Sequence, residues 1–438
     1  MKPNIVMIII DALRPRDLSL YGYSKETDKN IKKIASESIV FDKNFAASNA
    51  SYNSLTAIFS GQYPTTNGFI HQMPRTEKWE IDKLRKNKFW LPIYLQKNGY
   101  ATISTTVQQM WFKKGFDYYV EEKVEGKGKY IGSYKIKKLL LKLPNWVYRL
   151  GKRLVKVRAS PLFSSSEEII DLSISKIEES DKPFFLFMHF LDTHCPYAGV
   201  NTKRTKGQRT VKKILRDIET YSQKEYIKKR FFDCSANSLE QVRQKLEDSI
   251  ISVDRQIGRF ISFLKEKGMW ENTIFIILSD HGDTFGEHKN YFCRGGLYDA
   301  SIHVPLIIHF PSLKPQRINE LTSSIDIAPT ILDFLGEEKK KIDGKSLLPL
   351  IKKGKKIRDD VLSVDGFCKD RIAVRTLDKK LIVSKGPKCY LCGDLHLLDS
   401  SIEKEEFDLV KDKEELENVY SEGGELEGVL KREDNKNI

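Results

Sequence analysis

Residues 274–288 read IFIILSDHGDTFGEH, and the abrupt end of the apolar run at Ser279 decides the fold class. Ile274, Phe275, Ile276, Ile277 and Leu278 are β-branched, aromatic or aliphatic without interruption. That is the pattern of a strand buried on both faces of a parallel sheet. Asp280 and His281 fall just past its carboxyl end. In open α/β sheets ligands bind at that edge, and a carboxylate beside an imidazole there is a candidate divalent-metal site. On this segment alone, the weaker alternative is that Asp280 caps the next turn and His281 is a surface residue.

A second buried run, residues 4–10, closes on Asp11 in the same manner. If the two strands are neighbours, Asp11, Asp280 and His281 converge on one cation, which is more specific than either acid alone. Arg14, just after, either orients Asp11 or binds an anion, or is an ordinary surface residue. Residues 48–61, SNASYNSLTAIFSG, run from small polar residues into a helix, whose free N–H groups make a seat for an oxyanion. Ser51 is the candidate nucleophile there.

Composition bounds the rest. The chain has 438 residues, 40% of them hydrophobic, enough for one large α/β domain and a smaller appended one. Lys and Arg number 74 against 60 acids, a formal +14 that favours anionic partners. Six dispersed cysteines argue against a disulfide-stapled domain, and Cys389 with Cys392 forms the single CxxC. The N-terminal apolar run is too short for a membrane span and ends in an acid, which points to a cytoplasmic protein.

The ordered blocks NIVMIIIDALR, SYNSLTAIFSGQYPTTNG, HFLDTHCPY, SDHGDTFGEH, LYDASIHVPLIIHFP, SSIDIAPTILDFLG and DGKSLLPLI resemble the sulfatase family of the alkaline phosphatase superfamily. The tail, EEFDLVKDKEELENVY, resembles the family's closing strand and acidic motif. The resemblance covers nearly the whole chain apart from about residues 120–175 and 200–240. It implies a doubly wound, mostly parallel α/β sheet with helices on both faces over residues 1–352, and a small C-terminal α+β subdomain over residues 353–438. It also implies a divalent metal at the strand ends and hydrolysis or transfer of a sulfate or phosphate ester. Carried over position by position, Asp11, Ser51, Asp280 and His281 match metal ligands, Ser51 the nucleophile, and His194 a group that binds the transferred moiety or protonates the leaving oxygen. Arg294 falls where the family places an anion-holding lysine.

The departures shift the expected chemistry. Sulfatases oxidise the residue at the Ser51 position to formylglycine, guided by a proline and an arginine whose positions here hold Asn53 and Leu55. A sulfate-gripping lysine and histidine are replaced by Val107 and Gln109, and a second N-terminal acid by Ala12. The expectation is therefore an unmodified serine acting on phosphate or phosphonate esters, with zinc or manganese ahead of calcium or magnesium. The alternative is a non-catalytic member that binds anionic glycans or lipids.

Residues 183–196, PFFLFMHFLDTHCP, form a third buried run, which delivers Asp192 and His194 to the same face. An ordinary imidazole pKa near 6.5 would suit His194 as a general acid. His189, inside the run, reads as a packed core residue. Glu287 and His288 either complete a second metal site with Asp192 and His194 or only order their loop. His303 and His309 read as structural.

Residues 134–158, YKIKKLLLKLPNWVYRLGKRLVKVR, carry nine Lys or Arg without an acid, together with an apolar side. They read as a basic helical cap or as an amphipathic segment lying on an anionic membrane surface. In the second reading the protein is peripheral at the inner membrane face and its ester substrate is lipid-linked or a glycan. A lid-like insert over about residues 200–240 adds more positive charge, and no nucleic-acid motif accompanies it.

Overall fold

The computed structural model describes residues 2–72, 75–106, 110–120, 165–197, 209–218, 220–292, 294–368, 371–384, 389 and 403–434. The basic stretch 134–158, together with Val107, Gln109 and Cys392, lies outside them.

Strand β1 (Asn4–Ile10) is the axis of the molecule, because its apolar residues are buried on both sides. Successive side chains point to opposite faces of a strand. Val6, Ile8 and Ile10 therefore enter one core, and Ile5, Met7 and Ile9 the other. Full burial of each such side chain contributes about 1.5–3 kcal/mol. After β1 come α1 (Lys29–Ala35), β2 (Ile39–Phe45) and α2 (Ser51–Ser60). The chain continues through β3 (Ala101–Ser104), β4 (Tyr118–Tyr119), α3 (Ser166–Glu178), β5 (Phe184–Phe190), α4 (Tyr221–Asp233) and α5 (Leu239–Glu266). Strands β6 (Thr273–Leu278), β7 (Leu306–His309) and β8 (Gln316–Ser323) and helix α6 (Ile327–Phe334) complete the larger layer.

The eight strands pair in the order β4-β3-β5-β1-β6-β7-β2-β8. All neighbours run parallel except β7, which is antiparallel to both β6 and β2. Helices α3, α4 and α5 cover one face and α2 and α6 the other. The 28-residue α5 does so with apolar residues at helical spacing, among them Val242, Leu246, Ile250, Val253 and Ile257. Its N-cap Ser238 accepts from the Gln241 N–H and fixes where it starts.

A second, antiparallel sheet of four strands follows: β9 (Val361–Val364), β10 (Arg371–Arg375), β11 (Lys379–Ser384) and β12 (Lys404–Asp408). It joins the larger layer near Ser51, since the Val364 N–H donates to the Ala47 carbonyl at 2.9 Å. No helix among the described residues is long and apolar enough to cross a membrane.

Candidate active site

The alternation that builds the two cores also builds the site. Asp11 continues the set Ile5, Met7 and Ile9, His189 continues Phe185 and Phe187, and Asp280 continues Ile274, Ile276 and Leu278. All three sets face α2. Pairing in β5-β1-β6 places both His189 and Leu278 opposite Ile9, so the three strands end level. One ligand atom from each of Asp11, His189 and Asp280 lies within 4.8 Å of the others.

The backbone just past the strands locks both acids in place. Ala12 takes a left-handed φ of 58°, which lets its N–H donate to Asp280 Oδ1 at 3.2 Å. The Leu13 N–H donates to Ser279 Oγ at 3.0 Å and the Thr193 hydroxyl to the Asp11 carbonyl at 2.6 Å. Gly282 is needed for closeness: a Cβ there would stand 2.1 Å from the Ala300 carbonyl oxygen.

These residues fit a divalent cation. Asp11 Oδ1 and Asp280 Oδ2 are buried and accept no hydrogen bond from the described residues. Leaving a buried carboxylate oxygen without a donor is costly, and a cation offsets that cost. His189 Nε2 stands 3.4 Å from Asp11 Oδ2 and 3.8 Å from Asp280 Oδ2. His281 Nε2 stands 3.4 Å from Asp280 Oδ2 and 3.8 Å from Asp11 Oδ1. Its Nδ1–H donates to the Gly282 carbonyl at 2.9 Å, which leaves the Nε2 lone pair facing the acids. Burial first, then Arg294, outweighs the two acids and lowers the His281 pKa to about 4. Burial opposes charge on Asp11, but the surrounding imidazoles of His194, His189 and His281 outweigh it and hold the carboxyl well below its usual range.

Ser51 is the first residue of α2. Its Oγ lies 3.0 Å from His281 Nε2 and 3.5 Å from Asp11 Oδ2. Asn53 and Leu55 are both fully buried below it, the Asn53 amide donating to the Phe69 and Ile70 carbonyls. Arg294 closes the far side. Its Nη1 reaches His281 Nε2 at 2.5 Å and its Nη2 reaches His194 Nε2 at 2.8 Å. Asn49 Nδ2 holds the Arg294 carbonyl at 2.8 Å, and the guanidinium lies 5.6 Å over the Phe367 ring.

Several sequence expectations meet a different arrangement. His189 is not simply packed; it belongs to the acid cluster, and counting alternate positions from Phe185 would have found it. His194 does not keep an ordinary pKa: burial, reinforced by Arg294, lowers it, while its Nδ1–H is given to the Cys195 carbonyl at 2.6 Å. Its Nε2 is an acceptor in this state. Among the described residues Arg14 is engaged by carboxylates other than Asp11. Its Nε and Nη2 hold both Asp17 carboxylate oxygens at 2.6 and 2.7 Å, and its Nη1 holds Glu287 at 2.9 Å.

The second metal site is likewise not assembled from Asp192, His194, Glu287 and His288. Asp192 receives the Ser166 N–H and hydroxyl at the start of α3, Glu287 is bound to Arg14, and His288 stacks on Tyr298 at 3.7 Å. His303 and His309 spend ring nitrogens on the Asp42 and Glu37 carbonyls. Cys389 is buried in one small cluster with Cys368, Ala50 and Phe367.

Helices on both faces of a mostly parallel sheet, with the polar centre at its strand ends, place the fold in the alkaline-phosphatase-like class. The chain belongs to the sulfatase family: the Sulfatase profile matches residues 3–337, and a profile described as N-sulphoglucosamine sulphohydrolase, C-terminal, matches residues 286–433. It is accordingly an ester hydrolase of that family, which uses a divalent metal ion. An arylsulfatase of Clostridium perfringens (strain 13 / Type A) is 26% identical over 479 aligned residues, which cover 97% of each chain. A protein solved in complex with its substrate D-Glucosamine-2-N, 6-O-disulfate superposes with a TM-score of 0.67 at 19% identity, covering 99% of this chain and 96% of that one. A phosphonate monoester hydrolase from Silicibacter pomeroyi gives 0.69 at 18% identity, covering 100% and 96%.

Proposed function

We propose that this chain is a metal-dependent hydrolase or phosphotransferase whose nucleophile is the unmodified hydroxyl of Ser51, acting on anionic phosphate or phosphonate esters in preference to sulfate esters. The observation that carries the reading is the placement of Ser51 Oγ, 3.0 Å from His281 Nε2 and 3.5 Å from Asp11 Oδ2 at the first turn of α2. Asn53 and Leu55 stand where the formylglycine signal would be, which supports a serine left as translated.

Asp11, Asp280, His281 and His189 are the residues that would hold the cation. A divalent ion bound there lowers the pKa of a neighbouring hydroxyl and stabilises developing negative charge. The remaining steps belong to the chain itself. Arg294 transfers its planar fork from the two imidazoles to the oxygens of the bound anion. The N-terminus of α2 favours negative charge beside Ser51. Once Arg294 has turned to the anion, His194, with Nδ1–H fixed on the Cys195 carbonyl, takes a proton from solvent onto Nε2 and passes it to the leaving oxygen.

The organic part of the substrate is an anionic glycan or lipid-linked group, a reading supported by the formal charge of +14. The nine basic residues of 134–158 support attachment to an anionic membrane surface; failure to co-sediment with anionic vesicles at moderate salt would remove that reading. The central test is metal analysis of the purified protein with a screen of 4-nitrophenyl phosphate, phosphodiester, phosphonate and sulfate. Phosphorus esters should lead and a chelator should abolish turnover; a clear preference for the sulfate would overturn the reading.

A further inference from the structure

Helix α4 lies in the insert that the family-like blocks skip, and it presses against the site from two sides. Phe231 meets Phe292 edge-on at 5.1 Å, and Cys234, just past the helix, is buried against Cys195, the neighbour of His194. Between these anchors Tyr226 donates its hydroxyl to the Phe292 carbonyl at 2.5 Å, two residues before Arg294. The same hydroxyl accepts from Arg230 Nε at 3.1 Å, and the Arg230 guanidinium stands 5.1 Å over the Tyr226 ring. The Tyr226 ring packs in turn on the cluster of Ala50 and Phe367. Ala50 precedes Ser51, and Phe367 carries Arg294.

Two arginines are thus each backed by an aromatic ring of one cluster beside the nucleophile. Their pairing differs. Arg294 is held by two imidazoles, whereas Arg230 forms no salt bridge with any carboxylate among the described residues. A half-buried guanidinium without a carboxylate is costly to hold in place, and a bound anion offsets that cost. The charge of Arg230 also reaches His194 and Asp283, so the guanidinium stands near the site.

We propose that Arg230 binds a second anionic group of the substrate, so that the preferred ester carries a carboxylate, phosphate or sulfate next to the group being cleaved. This rests on the reading that the Ser51 site takes an anionic ester. Tyr226 takes the Nε–H, and the two terminal nitrogens, which donate to no group among the described residues, supply the edge that meets the second anion.

The test uses two ligands that turnover does not consume, phenylphosphonate and 3-carboxyphenylphosphonate, titrated calorimetrically into the metal-loaded protein. In the unaltered protein the extra carboxylate should tighten binding about tenfold. In Arg230→Gln that gain should vanish while phenylphosphonate binds as before, and Arg230→Lys should recover part of it. Equal gains in all three proteins, or an equal loss for both ligands in Arg230→Gln with an unchanged melting temperature, would overturn the assignment. Binding and hydrolysis separate the two claims. If the carboxylate effect depends on Arg230 but no ester is turned over, Arg230 stands and the proposed hydrolysis falls.

Discussion

His189 Nε2 lies 3.4 Å from Asp11 Oδ2, on the face of the sheet that carries Ser51. If His189 shares the cation with Asp11 and Asp280, His189→Asn should weaken metal affinity about 10- to 100-fold. Titration of the metal-free protein reads this directly. An unchanged affinity would return His189 to a packing role.

Asp280 places one carboxylate oxygen on the Ala12 N–H and leaves the other without a hydrogen bond from the described residues. Asp280→Ala should therefore eliminate bound metal and turnover while far-ultraviolet circular dichroism stays that of the parent, because the strands beneath it are closed by their own apolar contacts. Retained activity would sink the assignment of the centre.

Ser51 makes a prediction in mass as well as in rate. Intact-protein mass should show the serine unoxidised, and Ser51→Ala should lose at least about a thousandfold in turnover while keeping its metal. A Ser51 peptide lighter by about two hydrogens would instead mark the aldehyde and revive a sulfate-ester enzyme.

Glu287 supplies a pH dependence away from the cation. Burial resists its charge, but Arg14, the Phe285 N–H and Arg243 prevail and hold the carboxyl at about 2 rather than 4.5. A folded-state pKa below the unfolded one means stability that is present above pH 4.5 and lost as pH falls toward 2. That shift corresponds to about 3 kcal/mol at most. Urea midpoints of Glu287→Gln should lie below the parent at pH 7 and converge with it as the pH drops through that window. Coincident curves across that range would show that the Arg14 pair is neutral to stability.

The parts that sequence carries well are those set by local pattern. The apolar runs at residues 5–10, 184–188 and 274–278 each form strands, and Asp11 and Asp280, past the first and the last of them, stand together. Ser51 opens a helix beside them. What stayed hidden depended on partners distant in the chain. His189 looked like core because burial is the usual fate of a residue inside such a run, and only the register with β1 sets it against Asp11. Arg14 lies three residues past Asp11, yet its side chain finds Glu287, a partner no spacing rule could name. The apparent second metal set failed for the same reason: His288 takes a left-handed φ of 51° that turns its ring onto Tyr298.

The even ending of β5, β1 and β6 also sets an order in time. Asp11 leaves the ribosome before its neighbours on the sheet, which are encoded around residues 189 and 280. At synthesis rates of about 5–20 residues per second, β1 must wait on the order of tens of seconds for β6. During that interval an apolar strand meant for the middle of a sheet has at least the edge that β6 will cover open, a template for pairing with the wrong chain. No fragment ending before residue 280 contains both Asp11 and Asp280, so a truncated nascent chain carries the hazard of the fold without the paired acids.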